Sequence, residues 1–540
     1  MPAHDSEPAA KRPGAARRGA VLLLLAIALA LILAQAVSQG RPAALPEAAG
    51  APRTQMLPCV SYAPFRRAGE TPFDAGLHIA PQAIEADLRL LRAVTGCVRT
   101  YGLDHGLDAV PAVARRLGLR VVLGAWIGRD AAANEAQLRR ALDLAHEYRD
   151  VVQLLVVGNE VLLRRELAPE ALAVLLARAR RESPVPVAYA DVWEFWLRHG
   201  PALREHVDIV AAHILPYWED EPVGVDQAVD HVYTVAAQLR QNFGSTPVFI
   251  AETGWPAAGR QRGPAVPGRD EQARFVRGML ARQAAEPLDF NLIEAFDQPW
   301  KRLNEGTVGG YWGMFDADRV DKGILAGPVS NLPGWHRWLL LSLGLWLLLQ
   351  TAAGWRNPGA TLIAALGANL AALHLLQAGL ASRTPYELGW NLALAMVAAA
   401  VVYAWLRRLA GKPCPRWQEG AVLLLAVLAC IEMLGLVFDP RYRQFPVAVF
   451  ATPAFAIWFM RGGESDLAAR ARVLGALLAL CVPVVLVQET VFNAEALGWT
   501  AVMTVLGCGL MRRGAQGRVL RGAASVNSEN TAAGAPRLTL

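Results

Sequence analysis

Two apolar segments of this chain each end in a glutamate. Residues 248–256 read VFIAETGWP, and residues 154–160 read LLVVGNE, so that Glu252 directly follows one apolar run and Glu160 follows the other after Gly158 and Asn159. Short apolar runs bounded by Gly and Pro are typical of strands that are buried on both faces, as in parallel sheets. We therefore predict that both glutamates stand at the C-terminal ends of parallel strands.

The alternation of short apolar segments with amphipathic stretches extends from residue 57 to about residue 318. Strands are predicted at 57–62, 97–101, 120–126, 152–158, 185–190, 208–215, 247–251 and 291–295, with helical patterns between them. Eight such repeats predict an α/β fold, a closed (β/α)₈ barrel. The competing fold, a doubly wound open sheet, would need a Gly-rich phosphate turn, and the sequence has no GxGxxG.

The composition indicates that part of the chain lies in a membrane. Of the 540 residues, 54% are hydrophobic and only 19% are charged, whereas soluble proteins have about 25% charged residues. Apolar segments of near-spanning length follow residue 335, at 338–355, 360–380, 389–406, 419–437, 445–460, 473–490 and 497–511. The sequence therefore predicts a C-terminal α-helical domain of seven spans.

A further apolar segment, residues 21–37, follows the basic residues Lys11, Arg12, Arg17 and Arg18. This pattern predicts an uncleaved signal anchor, with a cleaved signal peptide as the alternative. The expected domains are a cytoplasmic N-terminus with the anchor (1–40), a linker (41–56), the barrel (57–330), the seven-span domain (335–512) and a cytoplasmic tail (513–540).

Basic residues are distributed unevenly between the connections of the predicted spans. The connection at residues 407–416 holds four of them, whereas those on the other side hold only Arg383, Arg441 and Arg443. By the positive-inside rule we expect a multi-pass protein of the inner (plasma) membrane with the barrel on the periplasmic side. The net charge of +6 is then explained by the basic residues that flank the predicted spans. We therefore expect the lipid bilayer as a partner and no nucleic acid.

The sequence has no CxxC or HExxH motif, and no metal or cofactor is expected.

Polar and aromatic side chains cluster at the predicted strand ends. Besides the two glutamates, we predict these substrate-binding residues: Tyr62, Arg99, Tyr101, Asn159, His213, Tyr217, Trp218, Trp255, Glu294, Trp300 and Lys301. Carboxyl groups suit proton transfer, and aromatic faces suit stacking on sugar rings. The alternatives are surface salt bridges for the glutamates, a contact between strands for His213, packing at the rim for the aromatic residues, and a solvated surface charge for Lys301.

Cys59 and Cys97 begin neighbouring predicted strands in the exported part of the chain. A disulfide between them is an alternative that we do not favour, because adjacent parallel strands rarely direct their Cβ atoms suitably. The other four cysteines lie in or beside predicted spans and are expected to pack there.

Several of these segments resemble glycoside hydrolase family 17, the β-1,3-glucanase-like family. The segment 252–256 with Gly259 is similar to its active-site pattern, and 159–160 resembles its acid/base position. Residues 99–101 and 296–301 also match family positions, and the resemblance covers about residues 57–320. The fusion to membrane spans is most similar to bacterial β-(1→6)-glucan synthase or glucan-modifying members.

The resemblance implies a retaining enzyme that cleaves β-1,3-glucosidic bonds, with Glu160 as general acid/base and Glu252 as nucleophile. Gln298 and Gly309 stand where plant members carry acidic residues, which argues against plant-like endohydrolysis. We expect a membrane-tethered transglycosylase that remodels or branches β-glucan, with a glucan synthase as a candidate partner. The alternatives are a plain endo- or exo-β-1,3-glucanase and a catalytically inactive glucan-binding sensor. A glycosyltransferase is rejected because the longest internal cytoplasmic connection is too short to hold its nucleotide-sugar domain.

Overall fold

The computed structural model describes residues 15–42, 44–45, 56–67, 69–460 and 466–531. Lys11 and Arg12, most of the predicted linker (residues 46–55) and the end of the predicted tail (532–540) lie outside these ranges. A first helix, α1, spans Ala15–Gly40 and covers the predicted anchor segment.

Eight parallel strands form a closed barrel, which confirms the predicted fold. The strands are β1 Cys59–Ser61, β2 Cys97–Arg99, β3 Arg120–Ala125, β4 Val152–Asn159, β5 Val187–Val192, β6 Ile209–His213, β7 Val248–Thr253 and β8 Phe290–Leu292. Each strand pairs with the next, and β8 pairs with β1 to close the ring. All eight lie at predicted positions, because each is a short apolar run buried on both faces.

Helices surround the barrel in the usual β/α order. They are α2 Pro81–Leu91, α3 Val110–Leu117, α4 Ala131–Glu147, α5 Pro169–Glu182, α6 Trp193–Leu203, α7 Val225–Phe243, α8 Arg269–Ala285 and a short α9 Arg302–Gly309 after β8. Local sequence sets the ends of several of them. Pro81 and Pro169 stand in the first turn of α2 and α5, and the Asp130 side chain accepts a hydrogen bond from the Ala133 amide to cap α4.

Cys59 and Cys97 form a disulfide between β1 and β2, so the expectation of two unpaired cysteines is wrong. Their Cα atoms are 4.4 Å apart, and both belong to the apolar cluster that also contains Val122, Leu154 and Phe249. In a closed barrel the inward-pointing side chains of neighbouring strands converge. The expectation that adjacent parallel strands direct their Cβ atoms unsuitably for a disulfide therefore did not apply to this pair.

In the part of the chain that the structure describes, seven helices follow the barrel, one for each predicted apolar segment. They are α10 Trp335–Ala353, α11 Pro358–Ala381, α12 Pro385–Leu409, α13 Gln418–Phe438, α14 Val447–Phe459, α15 Asp466–Glu489 and α16 Ala494–Thr531. The last helix continues into the predicted tail.

Six helices in the described part of the chain are long and apolar enough to cross a membrane: residues 22–40 of α1, α11, α12, α13, α15 and residues 494–513 of α16. The apolar α14, at 13 residues, is shorter than a usual span.

Loops on the C-terminal side of the barrel contact the connections between these helices. After β7, Arg260 forms a buried ion pair with Glu489 at 2.5 Å, and Gln261 exchanges hydrogen bonds with Asn493 and Glu495. After β8, the Tyr311 hydroxyl donates to the Leu380 carbonyl. The edge of the barrel that carries the strand ends therefore packs directly against the helical region.

The disulfide predicts a measurable loss of stability when it is removed. Cys97→Ser should lower the free energy of unfolding of the barrel by about 2–4 kcal/mol, because the unfolded chain regains the freedom of a loop with a sequence separation of 38. Chemical denaturation of the full-length protein, followed by tryptophan fluorescence, measures this change. Cys414→Ser, at an exposed free cysteine, is the matched control. Equal stability of the two variants would contradict the prediction.

Candidate active site

A bulge at the end of β4 directs Glu160 into the barrel mouth. The pairing of β4 with β5 shifts register between Val156 and Asn159, and Gly158 has a φ of 85°. A Cβ at Gly158 would lie 2.8 Å from Val161 Cγ2, so only glycine fits there. Glu160 also has a positive φ, 53°, and its amide donates to the Ala190 carbonyl at 2.7 Å. Strained backbone of this kind is concentrated at functional positions.

Glu252 is buried within β7, where Arg99 from β2 contacts it. Arg99 Nη1 donates to Glu252 Oε1 at 3.0 Å and to the Ala251 carbonyl at 2.8 Å. Its Nη2 donates to Asn159 Oδ1 at 2.6 Å. The Arg99 side chain is 1% exposed and therefore links β2, β4 and β7 beneath the mouth.

His213, the last residue of β6, lies between the two glutamates. Its Nδ1 is 2.9 Å from Glu160 Oε1, and its Nε2 is 3.5 Å from Glu252 Oε1. One carboxylate oxygen of each glutamate and one His213 nitrogen all lie within 4.8 Å of one another. This distance fits retaining glycosidases, in which the two carboxyl groups are about 5–5.5 Å apart, and not the roughly 6.5–9.5 Å of inverting ones.

Positive charges oppose the effect of burial on Glu252. Burial raises the pKa of this carboxyl, but His213, Arg99 and Lys301 together hold the pKa below its ordinary value. Glu252 is therefore ionised at neutral pH, as a nucleophile must be.

Lys301 is half-buried beside Glu294, with Nζ 2.9 Å from Oε1. Burial lowers the pKa of the ammonium, but the carboxylates of Glu294 and Glu305 outweigh burial and raise the pKa overall. Lys301 is thus a fixed positive charge in the site and not a solvated surface lysine.

A cavity of about 380 Å³ opens above the two glutamates. Of the predicted binding residues, these line it: Tyr62, Tyr101, Asn159, Trp218, Glu294, Trp300 and Lys301. Arg99 contacts Glu252, and His213 contacts both glutamates. The cavity therefore brings most of the predicted residues together around both carboxyl groups.

Tyr217 and Trp255 lie away from the cavity lining and are almost fully buried. The Tyr217 hydroxyl donates to the Arg260 carbonyl at 2.6 Å, and its ring stacks on Trp218. Trp255 Nε1 donates to the Val266 carbonyl. In this structure both side chains pack the loop after β7, which corresponds to the alternative of rim packing.

Trp300 stands at the cavity edge in a fixed orientation. Its Nε1 donates to Gln298 Oε1 at 3.0 Å, and its ring makes edge contacts with Phe65 and Phe73. Gln298 also donates to the Ala63 carbonyl. The amide at position 298 therefore orients the Trp300 ring at the cavity edge.

Several cavity residues were missing from the predicted set. Asn304 and Glu305 reach it from α9, and burial raises the pKa of Glu305 while Lys301 opposes this. Trp126 and Arg164 line another side and form a cation–π pair at 4.2 Å. Trp126 ends a predicted strand and could have been included, whereas nothing local to Glu305 or Arg164 indicates that they reach the site.

Glu160, His213 and Glu252 are the described residues whose ligand atoms lie close enough to hold a metal ion. The Arg99 guanidinium already occupies one Glu252 oxygen, and Lys301 adds a second positive charge nearby. Both charges oppose the binding of a cation. The cluster suits proton transfer between neighbouring carboxyl groups better than metal ligation.

The barrel is similar in sequence to known proteins. Residues 59–313 match the BtgE/BtgC glycoside hydrolase domain. The "Probable beta-glucosidase btgE" of Aspergillus fumigatus is 30% identical over 225 residues, which are 41% of this chain and 39% of that protein. The "Glucan 1,3-beta-glucosidase" of Candida albicans is 26% identical, with 44% of this chain and 84% of that protein covered. The match thus spans about two fifths of the Aspergillus relative.

Among solved structures, the glycoside hydrolase family 17 β-1,3-glucanosyltransferase of Rhizomucor miehei is similar to this chain at 24% identity. The match covers 52% of this chain and 99% of that one, with a TM-score of 0.45.

The barrel topology, the two strand-end glutamates and the sequence match agree with one another. By these features, residues 59–313 correspond to the BtgE/BtgC glycoside hydrolase domain.

Proposed function

We propose that this protein is a membrane-tethered, retaining enzyme that acts on β-1,3-glucan and transfers glycosyl groups to a sugar hydroxyl. The observation that carries the proposal is the separation of at most 4.8 Å between carboxylate oxygens of Glu160 and Glu252. The names of the Candida and Aspergillus relatives support a β-glucoside as substrate. Glucan remodelling or branching, with a glucan synthase as a partner, remains part of this proposal.

The proposed reaction has two displacements. Glu252 attacks the anomeric carbon and forms a glycosyl-enzyme ester, while protonated Glu160 gives its proton to the departing glycosidic oxygen. Glu160 then takes a proton from an incoming hydroxyl, which attacks the anomeric carbon and releases Glu252. A sugar hydroxyl gives transfer, and water gives hydrolysis. His213 contacts both carboxyl groups and keeps their relative positions fixed through the two steps.

The surroundings of Glu252 support its role as nucleophile. Arg99, His213 and Lys301 keep its pKa low, so that the carboxylate is available for attack. Asn159 accepts a hydrogen bond from Arg99 and lines the cavity beside Glu160, where its amide can reach a sugar hydroxyl.

An aromatic residue at the cavity edge supports transfer. Trp300 lines the cavity and offers a ring on which a second sugar can stack. Trp218 also lines the cavity, but its ring stacks on Tyr217 and lies beneath the guanidinium groups of Arg262 and Arg441. The cavity also lies on the barrel edge that packs against the helical region, so substrate reaches it along the membrane surface. A glucan held there is at high local concentration relative to a freely diffusing one.

We further propose that the helices embed the protein in the inner membrane with the barrel outside the cytoplasm. The apolar helices and the uneven distribution of arginines support this orientation. The disulfide agrees with it, since such bonds persist in oxidising compartments. α1 packs Ala36 near Trp338 and Ala372 of the helical region, which supports a retained anchor and not a cleaved signal.

Replacing each glutamate separates the two roles. Glu252→Gln should abolish turnover of laminari-oligosaccharides and of activated aryl β-glucosides, because no ester can form. Glu160→Gln should lower oligosaccharide turnover by about 10²–10⁴-fold. It should still release aryl groups in an initial burst, because a good leaving group needs no proton. Stopped-flow absorbance measures the burst, and Glu135→Gln on the barrel surface is the control. A burst from Glu252→Gln would contradict the assignment.

The charge of Lys301 predicts a shift in the pH profile. Lys301→Met removes a positive charge that lowers the pKa of Glu252, so the pKa of this carboxyl should rise. The acid limb of kcat/KM, which reports ionisation of the free nucleophile, should then move to higher pH. Lys412→Met, in the connection between α12 and α13, is the control and should keep the wild-type profile. An unmoved acid limb in Lys301→Met would show that Lys301 does not act on Glu252.

Transfer and hydrolysis are distinguished by their products. The wild-type enzyme with millimolar laminaripentaose should give products longer than the substrate, as sized by mass spectrometry. Trp300→Ala should lower the ratio of transfer to hydrolysis by roughly 2–10-fold, because stacking of about 0.5–1.5 kcal/mol is lost from the acceptor. Formation of the glycosyl-enzyme should change less. Only shortened products from the wild-type enzyme would mean that the protein is a tethered glucanase.

A further inference from the structure

A second cavity, of about 160 Å³, lies between the barrel and the helical region. Gly306 and Thr307 of α9 form its barrel side. Its other walls come from α11, α12, α13 and the connection between α13 and α14. Its volume is less than half that of the catalytic cavity, which suits a single sugar ring better than a chain.

The cavity lining has the side chains of a sugar site. The Trp390 ring from α12 stands beside Glu432 of α13, and Trp390 Nε1 donates to Glu432 Oε1 at 2.6 Å. Asn391 and Gln377 add amide groups, and His374 contacts the Asn391 carbonyl at 3.2 Å. Polar and ionisable groups are costly within apolar helices, so their convergence on one cavity indicates a function.

The charges around this cavity favour a neutral ligand. Two guanidinium groups, Arg383 and Arg443, are matched by two carboxylates, Glu387 and Glu432. Arg383 is paired with Glu387, and Arg443 lies 3.5 Å from Asp439. Because both arginines have carboxylate partners, a phosphate headgroup gains little there. A neutral polyol can instead hydrogen-bond to the amides and carboxylates and stack on the indole.

One short helix separates this cavity from the catalytic one. Asn304 and Glu305 of α9 line the catalytic cavity, and the next two residues, Gly306 and Thr307, line the second. Gly306 has a φ of 70°, and a Cβ there would lie 2.5 Å from the Tyr442 carbonyl oxygen. Glycine thus allows α9 to approach the helical region closely. As a result, α9 forms part of the wall of both cavities.

We propose that the second cavity is a glucan-binding site, which takes one glucosyl unit of a β-glucan between Trp390 and the surrounding polar groups. This inference rests on the proposed function. A glucan chain held there would lie next to α9 and hence beside the catalytic cavity. The helical region would then take part in substrate binding in addition to anchoring the barrel.

Calorimetric titration of the full-length protein with laminarihexaose tests the proposal. Glu252→Gln is used as the background in lipid nanodiscs, so that the probe binds without turnover. We expect two binding events in this background. Adding Trp390→Ala should leave one, and adding Glu432→Gln should weaken one of the two by about 10-fold or more. Trp355→Ala, at an exposed tryptophan between α10 and α11, should leave both. The catalytic-site event that survives in Trp390→Ala also verifies that this variant is folded.

A single event in the Glu252→Gln background, or two events that persist in Trp390→Ala, would overturn the second site. If the second site binds glycerol phosphate but not laminarihexaose, the assignment of this cavity as a glucan-binding site is wrong. Turnover of laminarihexaose by the wild-type enzyme is measured in parallel. If turnover is observed while only one event is found, the second site fails and the proposed function stands. If neither turnover nor binding occurs, the proposed function fails as well.

Discussion

The arrangement of the site depends on one buried guanidinium. Arg99 reaches from β2 across the barrel interior and donates to the Glu252 carboxylate, the Ala251 carbonyl and the Asn159 side chain. Its guanidinium also lies 4.6 Å from the centre of the Tyr101 ring. A buried charge of this kind depends on its carboxylate partner, and removal of that partner typically costs about 3–5 kcal/mol. The positions of β2, β4 and β7 relative to one another are thereby tied to the ionisation of Glu252.

Sequence patterns predicted the parts of the structure that are set by local periodicity. The eight strands were predicted because each is a short apolar run, and the two glutamates because they end such runs. The disulfide of Cys59 and Cys97 was not favoured, because the convergence of inward side chains is a property of the closed ring and not of two neighbouring strands. Glu305 was missed for a similar reason, since only the path of the chain after β8 brings α9 over the cavity. Tyr217 could not be distinguished from a binding residue by its position after β6.

The roles of neighbouring charges were also beyond sequence reasoning. Lys301 was expected in the cleft, but its burial against Glu294 and Glu305 depends on how the β8 loop folds back. His213 can contact both glutamates only because the ends of β4, β6 and β7 lie at matching heights along the barrel axis. The register shifts at these strand ends determine those heights. These shifts involve single residues and leave no periodic signal.

The contacts between the barrel and the helical region restrict how this protein can be altered. The loop after β7 contributes Arg260 and Gln261 to the helical region, and the β8 loop contributes Tyr311. A barrel transplanted with loops that lack these residues would leave Glu489 without Arg260 and Asn493 without the Gln261 carbonyl. Substitutions in the helix connections and in the catalytic loops must therefore be accepted together during evolution. Recombination between homologues is expected to preserve the two regions as a pair.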